Sequence, residues 1–189
     1  MARPALIDDA ELLDKLSGVF RDVGYAGASL ATLSEATGLK RASLYYRFPD
    51  GKEQMAREVL LTTKKWISET ILEKLREDSS PHERIKQMCK TLDELYSGGK
   101  QACLLNMLSS ARIQQGPFSK IIQSIFTDWI ETLADVLTDA GFNKKTALMR
   151  SERALSQLQG SLVLSRGIGT NKPFRNFLAQ LPEDLLGKA

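Results

Sequence analysis

Between Lys40 and Lys52 the chain reads KRASLYYRFPDGK, with four cations, one carboxylate and three aromatic rings. These residue types suit a polyanion. A guanidinium such as that of Arg41 can grip a guanine edge with two hydrogen bonds, and Lys40 can serve a base or a phosphate. Ala42 is small enough to let a helix close on a groove. Ser43 and the hydroxyls of Tyr45 and Tyr46 can donate to phosphate oxygens. Lys52 adds a cation at the start of the next helical segment, and Ser29 and Thr32 sit where a preceding helix would touch the opposite strand's backbone. The competing reading is a solvated basic helix with aromatic caps.

The elements that position these residues read as helices. Leu13, Leu16, Phe20 and Val23 recur at three- and four-residue steps, which predicts a first helix from about Asp8 to Val23, stopped by Gly24. Ser29 offers an N-cap, and Leu30, Leu33 and Ala36 give a second, short helix that ends at Gly38. The KRASLYYRF stretch is a third, closed by the turn Pro49-Asp50-Gly51. A tight turn at Thr37-Gly38-Leu39 makes the second and third a helix-turn-helix pattern, with Leu39, Leu44 and Phe48 facing inward.

From Lys52 to about Glu77 the pattern predicts one long helix. Further helices are expected near 81–96, 102–112, 117–140, 144–166 and 173–186, separated by Gly- and Pro-containing breaks. The fold class is therefore all-α, with about nine helices. Residues 1–50 form a three-helix head, and residues 51–189 form an antiparallel helical bundle.

Bulk properties bound the alternatives. Of 189 residues 42% are hydrophobic, enough for a core, and the net charge is only +3, so any affinity for nucleic acid must come from local charge. Residues 1–52 carry seven cations and seven acids. Charge is segregated there, since the acids crowd the first helix. No apolar run reaches the roughly 18–20 residues of a membrane span, and the start lacks a signal peptide's apolar core, so a cytoplasmic protein is expected. The two cysteines, Cys89 and Cys103, read as reduced and buried. No metal cluster or cofactor motif is present, and Ser97-Gly98-Gly99-Lys100 lacks the companion motifs of the acyl enzymes it mimics. The chain does not read as an enzyme.

The run from Leu12 to Met55 resembles the N-terminal domain of TetR-type transcriptional repressors. The matching positions are Phe20, Gly24-Tyr25, Ser29 with Leu33 and Ala36, Gly38-Leu39, Leu44-Tyr45, Phe48 and Lys52-Glu53. Pro49-Asp50-Gly51-Lys52-Glu53, with its extra glycine, resembles the LmrA/YxaF-like branch. Two positions depart from the family's habit: Lys40 stands where Ser or Thr is usual, and Arg47 where His is common.

The resemblance implies a homodimer that binds a near-palindromic double-stranded DNA operator and lets go when a small hydrophobic or aromatic effector enters the bundle. It implies phosphate contacts from Tyr45 and Lys52, with Lys40 to Tyr46 facing the groove. Met88, Leu92, Met107, Phe126 and Trp129 are the candidate effector contacts, with Asn106 and Gln123 as polar partners. Leu155, Leu158, Leu162 and Val163, with Phe174, Phe177, Leu178 and Leu181, form the expected dimer face; their competing role is an internal core face. A protein of another class, an all-α carrier or interaction module without DNA binding, stays open at this point.

Overall fold

The computed structural model describes residues 7–110, 112, 113 and 115–187. Among these residues every regular element is a helix. The chain divides into two compact units, Met1–Thr63 with Leu104–Ile121, and Lys64–Cys103 with Ile122–Ala189.

In the first unit, α1 (Asp9–Gly27) is capped by the Asp8 carboxylate, which accepts from Glu11 N at 2.7 Å. Leu12, Leu16, Val19 and Phe20 form its buried face. The helical path breaks at Gly24, where φ is 69°, so the stop read from the sequence falls at that residue, followed by one further turn. A Cβ at Gly24 would also stand 3.1 Å from the Met107 carbonyl oxygen of α7 (Leu104–Leu108). Glycine is required twice there, for the backbone and for the space.

α2 (Leu30–Thr37) and α3 (Arg41–Arg47) follow, and α4 (Lys52–Ile67) begins in this unit. α7 was expected to run from 102 to 112 and ends at Leu108. Ser109 Oγ bonds back to Leu105 O and Ser109 N to Asn106 O, a local alternative to the helix ladder.

The second unit is the larger. α4 continues without a break through a π-turn, Ser68–Leu72, into α5 (Glu73–Arg76). The single long helix expected from the sequence thus carries one residue too many for an α ladder: Glu73 N bonds to Ser68 O. Ile71 and Leu72 within it are both buried. α6 (Pro81–Leu95) starts behind Ser80, whose hydroxyl accepts from Glu83 N. α8 (Ser119–Asp139), α9 (Lys144–Ile168) and α10 (Lys172–Leu186) complete the order. With α4 to α5 counted as one continuous run, the described residues form nine helices.

Polar ties fasten the helix ends of this unit. Arg84, nearly buried, donates to Leu75 O and to Asp139 Oδ2 at 2.8 Å. Arg150 donates to the carbonyls of Leu185 and Gly187 at the end of α10, with its guanidinium over the Phe142 ring.

Two glycines predict opposite responses. Gly99 has φ of 86°, and a Cβ there would stand 2.7 Å from the buried Phe174 ring. Gly99→Ala is expected to lower the unfolding free energy by about 2 kcal/mol. Gly18 sits inside α1 with nothing within 4 Å of an added Cβ. Gly18→Ala should raise stability by ~0.5–1 kcal/mol. Denaturant titration of both variants checks the two signs.

Candidate nucleic-acid interface

α2 and α3 are joined by a turn that the sequence specifies atom by atom. Gly38 adopts the left-handed conformation at φ 69°. Thr37 Oγ1 donates to Leu33 O at 2.8 Å and accepts from Leu39 N at 3.3 Å. Ser34 Oγ closes the turn on Leu39 O. Upstream, Ser29 Oγ caps α2 by accepting from Thr32 N at 3.1 Å, and the two hydroxyls share a hydrogen bond at 2.9 Å.

The turn delivers α3 with Leu44 and Phe48 buried and Leu39 half-buried. Lys40, Arg41, Ala42, Ser43, Tyr45 and Tyr46 are left exposed. Tyr46 is 88% exposed, which is unusual for a ring of its size. Gly51, at φ 68°, leaves room beside the Tyr45 ring. Lys40 is the N-cap residue of α3 and makes no side-chain cap bond, as its chemistry requires. Among the described residues, none pairs with the side chains of Lys40, Arg41, Ser43, Tyr45 or Tyr46.

The other two cations of the segment are engaged. Lys52 Nζ donates to Tyr25 O at 2.8 Å and stands 4.5 Å from the centre of the Tyr25 ring. Its ammonium keeps further protons. Tyr25 in turn packs edge-on against Phe118. Burial, and then the Glu53 carboxylate, push the Tyr25 phenol above its ordinary pKa, so it stays neutral. Arg47 turns back to α1, donating to Asp9 Oδ1 at 3.2 Å and to Ile7 O at 2.9 Å. No local sequence signal points to that partner, which lies about forty residues away.

The candidate effector residues fall in both units. Met107 belongs to the first unit, where it lines a cavity of about 410 Å³ with Val23, Tyr25 and Phe118. Phe126 belongs to the second, where it lines a hollow of about 430 Å³ with Ile130, Leu155 and Gln159. Met88, Leu92 and Trp129 are buried in the second unit's core, and Trp129 Nε1 is buried without a hydrogen-bond partner among the described residues. Asn106 and Gln123 are exposed. Cys103 is buried, with Tyr96 Oη and Gln159 Nε2 within 3.5 Å of its sulfur. Cys89 is half-buried, and desolvation pushes its thiol up to about 11.

The expected dimer residues differ in exposure within the single chain. Leu155, Leu158, Leu162, Phe174 and Leu181 are buried within the chain itself, and Phe177 is half-buried. Phe174 packs against Tyr96 and Phe177. α9 and α10 use these side chains on each other and on their own unit. The apolar groups that α9 leaves exposed are Met149, Val163, Leu164 (53%) and Ile168 (58%).

A short helix presenting open cations beyond a tight turn, with a second helix capped behind it, defines a helix-turn-helix protein. Residues 12–59 match the bacterial regulatory proteins of the tetR family. Residues 80–180 match the C-terminal domain of LmrA/YxaF-like transcriptional regulators, and the chain belongs to that family of TetR-type regulators. It is 23% identical to the HTH-type transcriptional regulator LmrA of Bacillus subtilis (strain 168), over 92% of this chain and 94% of that protein. A TetR transcriptional regulator from Legionella pneumophila has the same fold, with TM-score 0.82, 23% identity and coverage of 96% of this chain and 99% of that one. So does AibR, solved in complex with isovaleryl coenzyme A and operator DNA, with TM-score 0.71, 15% identity and coverage of 95% and 98%. The family is one of transcriptional regulators, not enzymes. No helix among the described residues is long and apolar enough to cross a membrane.

The Ser29 cap gives a test of how α2 is held. Ser29→Ala should cost about 1 kcal/mol of stability, while Ser29→Asp, which keeps a capping oxygen, should cost much less. Thermal denaturation of the two variants checks the order.

Proposed function

We propose that the chain is a repressor that binds a near-palindromic operator as a homodimer and is released by a small molecule. The observation that carries this reading is the set of exposed, unpartnered groups on α3. Arg41 is assigned to a guanine edge and Lys40 to a base or phosphate. Ala42 permits close approach. Ser43, Tyr45 and Tyr46 donate to phosphates or the groove edge, and Ser29 and Thr32 face the opposite backbone. Lys52 adds a phosphate contact through the protons that Tyr25 leaves free. Residues 1–50 act as the DNA head, and residues 51–189 as the sensing and pairing part.

A twofold partner supplies the second head, since half-sites one helical turn apart lie about 34–36 Å from each other. The exposed Val163, Leu164 and Ile168 of α9 favour that helix as the pairing face. The small-molecule part of the proposal is supported by AibR, which was solved with both a ligand and operator DNA. The effector is a small hydrophobic or aromatic compound. The hollow beside Phe126 and the cavity beside Met107 each have the volume for one. To move the population from about 1:99 to 99:1, it must prefer the DNA-free form by roughly 5.5 kcal/mol.

Selection of duplexes from a random pool with the full chain should recover a sequence with two related half-sites. Its affinity should fall steeply between about 50 and 300 mM salt. Arg41→Ala should relax base choice at one position per half-site, worth about 1–3 kcal/mol. Tyr45→Phe and Lys52→Ala should weaken binding to every duplex alike. A chain that binds small apolar compounds but selects no duplex would instead be a carrier, and the proposal would fall.

A further inference from the structure

We infer that Arg47 is a positioning residue for DNA recognition: its guanidinium fixes how α3 is presented and makes no DNA contact of its own. The inference rests on the DNA-binding reading above.

α3 has only seven residues, too few to be stable alone. Leu44 and Phe48 bury one side of it. Apolar contact is non-directional, so it fixes which side faces in far better than it fixes the roll of the helix about its axis. Hydrogen bonds supply direction. At the front of α3 the turn provides them, through Ser34, Thr37 and Leu39. The N-cap residue Lys40 adds none from its side chain. At the back, Arg47 provides two, to Asp9 Oδ1 and to Ile7 O. The Ile7 carbonyl precedes the N-cap of α1 and lies outside the helix ladder, so it is open to a donor from α3.

The two acceptors anchor different terminal nitrogens of one planar group, which sets the orientation of the side chain as well as its distance. The Arg47 side chain is only 21% exposed, against 91% for Asp9. The Ile7 carbonyl is therefore the stronger anchor and the exposed ion pair the weaker. Each terminal nitrogen of Arg47 spends one proton on the α1 end, whereas Lys40 and Arg41 are unpartnered among the described residues.

Two roles for Arg47 separate cleanly in binding data. A phosphate contact, when removed, lowers the salt slope by about 0.9 and weakens all duplexes alike. A positioning residue, when removed, lowers discrimination and leaves the slope where it was. Asp9 sharpens the test because its removal pulls the other way electrostatically. Asp9→Asn deletes a negative charge near the DNA-facing head, which by charge alone strengthens binding to any duplex. Asp8, not Asp9, caps α1, so this exposed substitution leaves the helix start intact.

The experiment uses the 189-residue chain, the duplex selected from the random pool and a scrambled duplex of equal length, titrated over a salt series. Circular dichroism at the assay temperature establishes that each variant is folded. Arg47→Met is expected to reduce the ratio of selected to scrambled affinity on the order of tenfold, about the readout of one base pair, with the salt slope unchanged. Arg47→Lys, which can still reach one acceptor, should recover part of the ratio. Asp9→Asn should lower the ratio in the same direction but less, and should add little to Arg47→Met. A slope reduced by about 0.9 with the ratio intact would make Arg47 a phosphate contact and overturn the inference alone. An Asp9→Asn variant that gains affinity with full discrimination, or an Arg47→Met variant that matches wild type in both quantities, would also overturn it. A wild-type chain that selects no duplex would remove the DNA-binding reading and this inference together.

Discussion

The surface assigned to DNA in our proposal depends on the burial of two side chains, Leu44 and Phe48. A helix of seven residues gains too little from its own hydrogen bonds to persist. Each of the two buried groups contributes roughly 1.5–3 kcal/mol, and together they are the hold that the first unit has on α3. Because they sit four residues apart, they share a face. Apart from Arg47, which reaches back to the start of α1, the other positions of the helix are turned outward. The polar groups at 40–43, 45 and 46 are exposed as a consequence of that spacing. The sequence has filled those positions with side chains that cost little to keep in water, except for Tyr46, whose ring has no packing reason to be there.

The cations of this segment fall into two kinds. Lys40 and Arg41 are unpartnered among the described residues, while Arg47 and Lys52 reach α1 at its two ends, Ile7 and Asp9 at the start and Tyr25 at the kink. A count of charges treats the four alike. The structure distinguishes them by what lies within reach of each head group. Arg47 at the end of α3 and Lys52 at the start of α4 span the Pro49-Asp50-Gly51 turn, so both ends of that turn are tied to the same helix. A net charge of only +3 is compatible with tight DNA binding when the open cations are gathered on one helix and the acids are placed elsewhere.

The head was largely legible because its boundaries are set by local chemistry. Asp8, Gly24, Ser29 and Gly38 each act on their own backbone or on the next three residues, and each sits where the sequence put it. The partners of Arg47 and Lys52 were not legible, since they depend on chain segments brought together from far away. The π-turn at Ser68–Leu72 was missed because no glycine, proline or capping residue marks it; buried Ile71 and Leu72 stand side by side in an otherwise ordinary pattern. The apolar stripe of α9 was visible, but its destination was not. Leu162, Val163 and Leu164 are consecutive and point in three directions, and periodicity reports that a face is apolar without saying what covers it. Effector contacts are harder still, because a cavity is defined by the side chains that are absent from it.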